Sequence, residues 1–225
     1  IILMIGDGMG LSQITTGMYA NGNKTSLEEF DYIGLSKTHS LDYLVTDSAA
    51  SGTAMASGVK TLNRTVGIDE NNKKQKSILE ICKEKKYNVG LVVTSEIVHA
   101  TPACFYANVL SRYDYEDIAL QLSEHNVDLF VGGGKKFFNK RKDKRNLLEE
   151  MTSYAFVDDF EEFKDSSSKK IGFLTYPGEP PPKNLGREPS LEMLTEVSLR
   201  KLSKDKSFFN CFKTEKLFFF ILGGL

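Results

Sequence analysis

Short apolar bursts alternate with stretches of helical periodicity along the first 134 residues, and this rhythm limits the possible folds more than any other feature. "IILMIG" (1–6) and "NVGLVVTS" (88–95) are continuous apolar runs of strand length, and "VDLFVGGG" (127–134) is a third that ends in a glycine turn. Between them, "SILEICKEKK" (77–86) and "YEDIALQLSEH" (115–125) repeat their apolar positions every three to four residues. Strands without in–out alternation are buried on both faces, so the rhythm predicts an α/β fold: a mostly parallel central sheet with helices on both faces. The 225 residues, 40% hydrophobic and 26% charged, suffice for one substantial soluble domain.

Past residue 138 the texture changes. "NKRKDKRNLLEEM" (139–151) reads as a charged, helix-like run, and the basic stretch "KKFFNKRKDKR" (135–145) as a solvated face. Five of the six prolines fall in 175–190, a loop within the domain, after which "SLEMLTEVSLRKLS" (190–203) restores helical spacing with Ser190 as N-cap. The tail "KSFFNCFKTEKLFFFILGGL" (206–225) looks like one strand entered twice. It either leaves an exposed apolar edge or tucks a last strand inside the sheet.

Charge excludes several classes of partner. Lys and Arg total 29 against 30 Asp and Glu, a net charge of −1, which gives no electrostatic case for nucleic acid or an anionic membrane. No apolar run approaches the roughly 20 residues of a membrane span, and no signal-peptide pattern opens the chain. Cys82, Cys104 and Cys211 form no CxxC pair and suggest neither a disulfide framework nor a thiolate metal site.

Ligands in open α/β sheets collect beyond the carboxyl ends of the strands, which singles out three places. Asp7 follows "IILMIG" between Gly6 and Gly8, where an Asp is equally an ordinary turn former. In "VTDSAASGTAMASG" (45–58), Ser48 sits at the expected first turn of a helix, where unpaired N–H groups and the dipole favour a phosphoryl group. Ser48 as a plain N-cap is the competing reading, and the small residues behind it would let that helix pack closely. In "HATPACFYANVLSR" (99–112), Thr101 can cap a helix or offer a hydroxyl oxygen to a hard cation, and the guanidinium of Arg112 suits two phosphate oxygens.

Together "IGDGMG", "VTDSAASGTAMASG" and "HATPACFYANVLSR", in that order, closely resemble the N-terminal half of alkaline phosphatase. The match runs from residue 1 through "DLFVGGGKKFF" and resumes at "PSLEMLTEVSLRKLSKDKSFF". The resemblance implies hydrolysis of small phosphate monoesters through a phosphoserine, with Zn²⁺ and Mg²⁺ as cofactors. By the same resemblance, Asp7 bridges one zinc and the magnesium, and Ser48 is the nucleophile and a zinc ligand. Thr101 is a magnesium ligand, His99 contacts magnesium's shell, usually through water, Arg112 clamps phosphate, and Asp47 orients Arg112. Full-length members are implied to be homodimers, periplasmic or extracellular.

The remaining ligands of the family, a Glu, two Asp and three His, belong downstream, yet the three histidines here are His39, His99 and His125. The family's Glu would follow a strand similar to "FFFILGGL", where Gly223 and Gly224 stand instead. The expectation is therefore a single incomplete domain over 1–225, a fragment or frame-disrupted copy that is inactive alone. The alternative is a noncatalytic remnant that binds phosphate or a partner. "VGGGKKFF" lacks the spacing and hydroxyl of a P-loop, no GxSxG elbow surrounds Ser48, and "DSAASG" does not resemble the sulfatase nucleophile motif.

Overall fold

The computed structural model describes residues 1–204 and 207–215. The elements in chain order are β1 (Ile2–Asp7), α1 (Leu11–Ala20), α2 (Ser48–Ser57), α3 (Ile78–Glu84), β2 (Asn88–Glu96), α4 (Ala100–Ala103) and α5 (Tyr115–Glu124). They continue with β3 (Leu129–Gly133), α6 (Lys136–Asn139), α7 (Leu147–Glu150), β4 (Ala155–Val157), α8 (Phe160–Asp165), β5 (Ile171–Leu174), α9 (Leu191–Leu202) and β6 (Phe208–Glu215). The strands form one sheet in the order β1-β6-β2-β3-β5-β4, and every neighbouring pair is parallel.

Two apolar cores show that both faces of the sheet are covered. One face of β2, with Val89, Leu91 and Val93, packs with Ala49, Leu79, Ala103, Ile118 and Leu122 from α2, α3, α4 and α5. Val92 points the other way and joins Phe163, Leu194 and Val197 of α8 and α9. Strands buried on both sides need apolar residues at every position, which is why the continuous runs in the sequence are strands. The start signals are local: Ser77 and Glu80 cap α3 reciprocally, and Ser190 Oγ accepts the Met193 N–H at the head of α9.

The charged run behaves differently from its sequence expectation. Of 139–151, Asn139 ends α6 and Leu147–Glu150 forms α7 while the residues between them are not helical, and Arg141 is buried rather than solvated. Its guanidinium meets Asp143 and the carbonyls of Glu116 and Phe137, which makes it an anchor for the loop between α6 and α7. Residues 175–190 form the connection from β5 to α9, holding one short 3₁₀ turn at Lys183–Leu185. The tail resolves in favour of the tucked strand: β6 lies between β1 and β2, with its register set on both sides. The second apolar burst, "FFFILGGL" with Gly223 and Gly224, lies outside the described residues.

Candidate active site

Asp47, rather than Ser48, caps α2. Asp47 Oδ1 accepts the N–H groups of Ala49 (3.1 Å) and Ala50 (2.9 Å), so Ser48 is the first residue inside the helix and its hydroxyl is not used for capping. The other oxygen, Oδ2, accepts Arg112 Nη1 at 3.0 Å and the Arg64 N–H at 3.1 Å. Asn63 fixes the backbone at the same place by accepting the Asp47 N–H. One carboxylate thus starts the helix that bears Ser48 and positions the guanidinium beside it. Since Asp47 occupies the Ala49 and Ala50 N–H groups, those two amides are not free to meet an anion.

Asp7 is the last residue of β1, and Gly8 behind it has a φ of +68°, a left-handed conformation that glycine adopts without strain. Thr101 lies inside α4 and does not cap it; its hydroxyl donates to Asp7 Oδ2 at 3.0 Å. α4 in turn lies against α2. A Cβ added to Gly52 would stand 3.0 Å from Cys104 Sγ and 3.4 Å from Thr101 Cα. Cys104 Sγ also donates to the Ala49 carbonyl, and burial pushes its thiol up to about 12. The run of small residues after Ser48 is what permits this approach, and through it Asp7 and Thr101 are tied to the helix that bears Ser48.

His99 faces another group. Its Nε2 lies 3.5 Å from Glu96 Oε2 and 3.3 Å from Glu179 Oε2, and its ring stacks 6.3 Å from Tyr115. Among the described residues, Glu96, His99 and Glu179 are the cluster whose ligand atoms gather closely enough to hold a metal. Lys136 Nζ reaches Glu96 at 3.1 Å. Burial raises the Glu96 carboxyl, but the hydrogen bonds from His99 and Lys136 outweigh it and hold the group below its ordinary value.

Glu96 at the end of β2, Glu179 from the proline-rich loop, Lys136 from the basic run and Lys213 from β6 had no signal in the sequence. Lys213 is 1% exposed, with Nζ 3.6 Å from Asp7 Oδ2 and 3.1 Å from Ser95 Oγ.

The profile of the family described as alkaline phosphatase matches residues 1–212. The chain belongs to the alkaline phosphatase family. It is 41% identical to alkaline phosphatase 4 of Bacillus subtilis (strain 168) over 229 residues, covering 93% of this chain and 49% of that protein. Alkaline phosphatase 3 of the same organism is 38% identical, with the same coverage. The solved alkaline phosphatase of the Antarctic bacterium TAB5 superposes with a TM-score of 0.88 at 37% identity, over 95% of this chain and 64% of that one. A variant of the TAB5 enzyme with Mg bound in its M3 site matches with the same TM-score. The chain spans about half the length of the curated alkaline phosphatases it matches. Among the described residues no helix is long and apolar enough to cross a membrane.

Proposed function

We propose that the site formed by Ser48, Arg112 and the start of α2 receives the phosphoryl group of a small phosphate monoester. The observation that supports this reading is the double use of Asp47, which places a guanidinium fork at the head of the helix whose first residue is a hydroxyl. Arg112 offers paired donors for two nonbridging oxygens, and the positive pole of the helix favours the charge spread over them in a loose transition state. In the reaction that the family resemblance supports, Ser48 Oγ gives up its proton and forms a bond to phosphorus as the bond to the departing alkoxide breaks, and the alkoxide takes up a proton to leave as the alcohol. Water then cleaves the phosphoserine. Longer members would assemble as periplasmic or extracellular homodimers.

The metals implied by the family do not fit at Asp7, Ser48 and Thr101. A zinc ion requires about four nitrogen, sulfur or carboxylate ligands, and Asp7 and Ser48 supply two oxygens. A magnesium ion at Asp7 and Thr101 would stand beside the Lys213 ammonium. His99, the remaining residue read toward magnesium, faces Glu96 and Glu179 instead. We therefore propose that the 225 residues on their own bind phosphate without turnover, as a single incomplete alkaline phosphatase-like domain.

Two measurements on the purified chain, with Zn²⁺ and Mg²⁺ supplied, test the proposal. Calorimetric titration with inorganic phosphate is expected to show binding that Arg112→Ala abolishes, and p-nitrophenyl phosphate is expected to release no p-nitrophenolate. Undiminished phosphate binding in Arg112→Ala would defeat the phosphate site. Turnover, with one phosphoryl group on Ser48 by intact-mass spectrometry, would defeat the inactivity and establish the enzyme.

A further inference from the structure

We propose that the ammonium of Lys213 is the resident cation of the Asp7–Thr101 pole, so that the chain itself carries the positive charge there and Mg²⁺ does not bind at that position. The strand places it. In β6, Lys213 pairs with Ile5 of β1 on one side and Val93 of β2 on the other, so backbone encloses it from both edges. Strand alternation puts it on the same face as Phe209 and Cys211, the face that packs with α2 and α4. Phe212, its neighbour, turns to the opposite core.

A lysine in the interior of a central strand needs a nearby counter-charge and hydrogen-bond acceptors, because an uncompensated buried ammonium is strongly disfavoured. Both are at hand at the carboxyl end of the strand: Asp7 Oδ2 at 3.6 Å and Ser95 Oγ at 3.1 Å, with Ser95 itself fully buried. Thr101 completes the arrangement by donating to the same Asp7 oxygen, so one carboxylate oxygen faces a hydroxyl and an ammonium together. That leaves no room in charge for a divalent ion. Mg²⁺ demands near-octahedral oxygen ligation and gives up water reluctantly, whereas among the described residues this pole offers the Asp7 carboxylate, the Thr101 hydroxyl and a fixed positive charge at contact range. Repulsion between the ion and an ammonium sheltered from solvent is poorly screened.

This inference uses the reading of Asp7 and Thr101 as a cation pole and is independent of phosphate binding at Arg112, so either can fail without the other. Thermal unfolding of the full 225-residue chain in EDTA and in millimolar MgCl₂ tests it. The wild-type chain and Asp7→Asn are expected to respond identically to Mg²⁺. In EDTA, Lys213→Gln is expected to lower the Tm by several degrees, and adding Asp7→Asn to it to lower the Tm no further. A rise in wild-type Tm with Mg²⁺ that Asp7→Asn abolishes would overturn the proposal, as would Tm losses of the two single variants that simply add. If Lys213→Gln fails to fold, the Mg²⁺ comparison of wild type with Asp7→Asn decides alone.

Discussion

Arg112 is held by Asp47: Nη1 and Oδ2 are 3.0 Å apart, while the other oxygen of the same carboxylate caps α2. Because capping and clamping use different oxygens, two substitutions separate them. Asp47→Ala removes both and is expected to cost about 1–2 kcal/mol from the lost cap. This corresponds to a fall in Tm of roughly 2–4 °C per kcal/mol for a chain of this size. Asp47→Asn can keep the cap through Oδ1 but presents an amide N–H₂ to Arg112 and to the Arg64 N–H. Chemical denaturation is expected to show Asp47→Asn closer to wild type than Asp47→Ala, with phosphate affinity reduced in both.

Gly52 is where α2 comes closest to α4. A methyl group there would meet Cys104 Sγ at 3.0 Å and the Thr101 backbone at 3.4 Å. Alanine gains up to about 1 kcal/mol of helix propensity over glycine, but overpacking typically costs about 1–3 kcal/mol. Since backbone lies on one side of the contact, we expect Gly52→Ala to be net destabilising in urea denaturation. Adding Cys104→Ala, which removes the sulfur, should recover part of the loss; a loss unchanged by that second substitution would place the strain elsewhere.

Asn210 is fully buried in β6, and neither atom of its amide has a hydrogen-bond partner. A Cβ at Gly90 would come within 2.7 Å of both Asn210 Oδ1 and Leu202 Cδ1, so the amide is pressed into an apolar seam beneath α9. An orphaned buried polar group costs about 1–3 kcal/mol, and an apolar side chain of similar size removes that penalty. Asn210→Leu is therefore expected to raise the Tm. An unchanged or lowered Tm would mean that the amide finds a partner.

His125 gives the chain a pH dependence with a definite sign. Burial pushes its imidazole below the ordinary 6.5, opposed by Glu80 and Glu124 and assisted by Lys74. The folded state thus resists protonation more than the unfolded chain does, and the unfolded chain binds the extra proton in the window below pH 6.5. Stability is fully present above that pH and declines as pH falls toward the folded value. The difference in unfolding free energy between wild type and His125→Gln, measured from pH 7.5 downward, is expected to narrow or reverse below pH 6.5. A difference independent of pH would contradict this account.

The rhythm of the chain made its α/β character legible, because apolar periodicity and capping residues act within a few positions of one another. Ser190 and the runs at 1–6, 88–95 and 127–134 all lie in or beside the elements they announce. The places of Asp7, Ser48 and Thr101 at a strand end or helix start were legible for a similar reason, since each sits in a short motif, whereas Arg112 lies in the loop between α4 and α5. The short β4, β5 and α8 carried too few residues to show a period.

Packing between distant segments settled the rest. Glu179 reaches the Glu96 N–H across 83 positions, and Lys213 reaches Ser95 across 118. A lysine in an apolar run looks like an interruption until the sheet register sets it opposite Ile5 and Val93, with its ammonium against Asp7. Likewise Arg141 reads as one more solvated charge until Asp143 and two carbonyls enclose it. Local sequence dictates backbone preference, but the partner of a buried charge is chosen by the packed chain, where leaving that charge unpaired is too costly to persist.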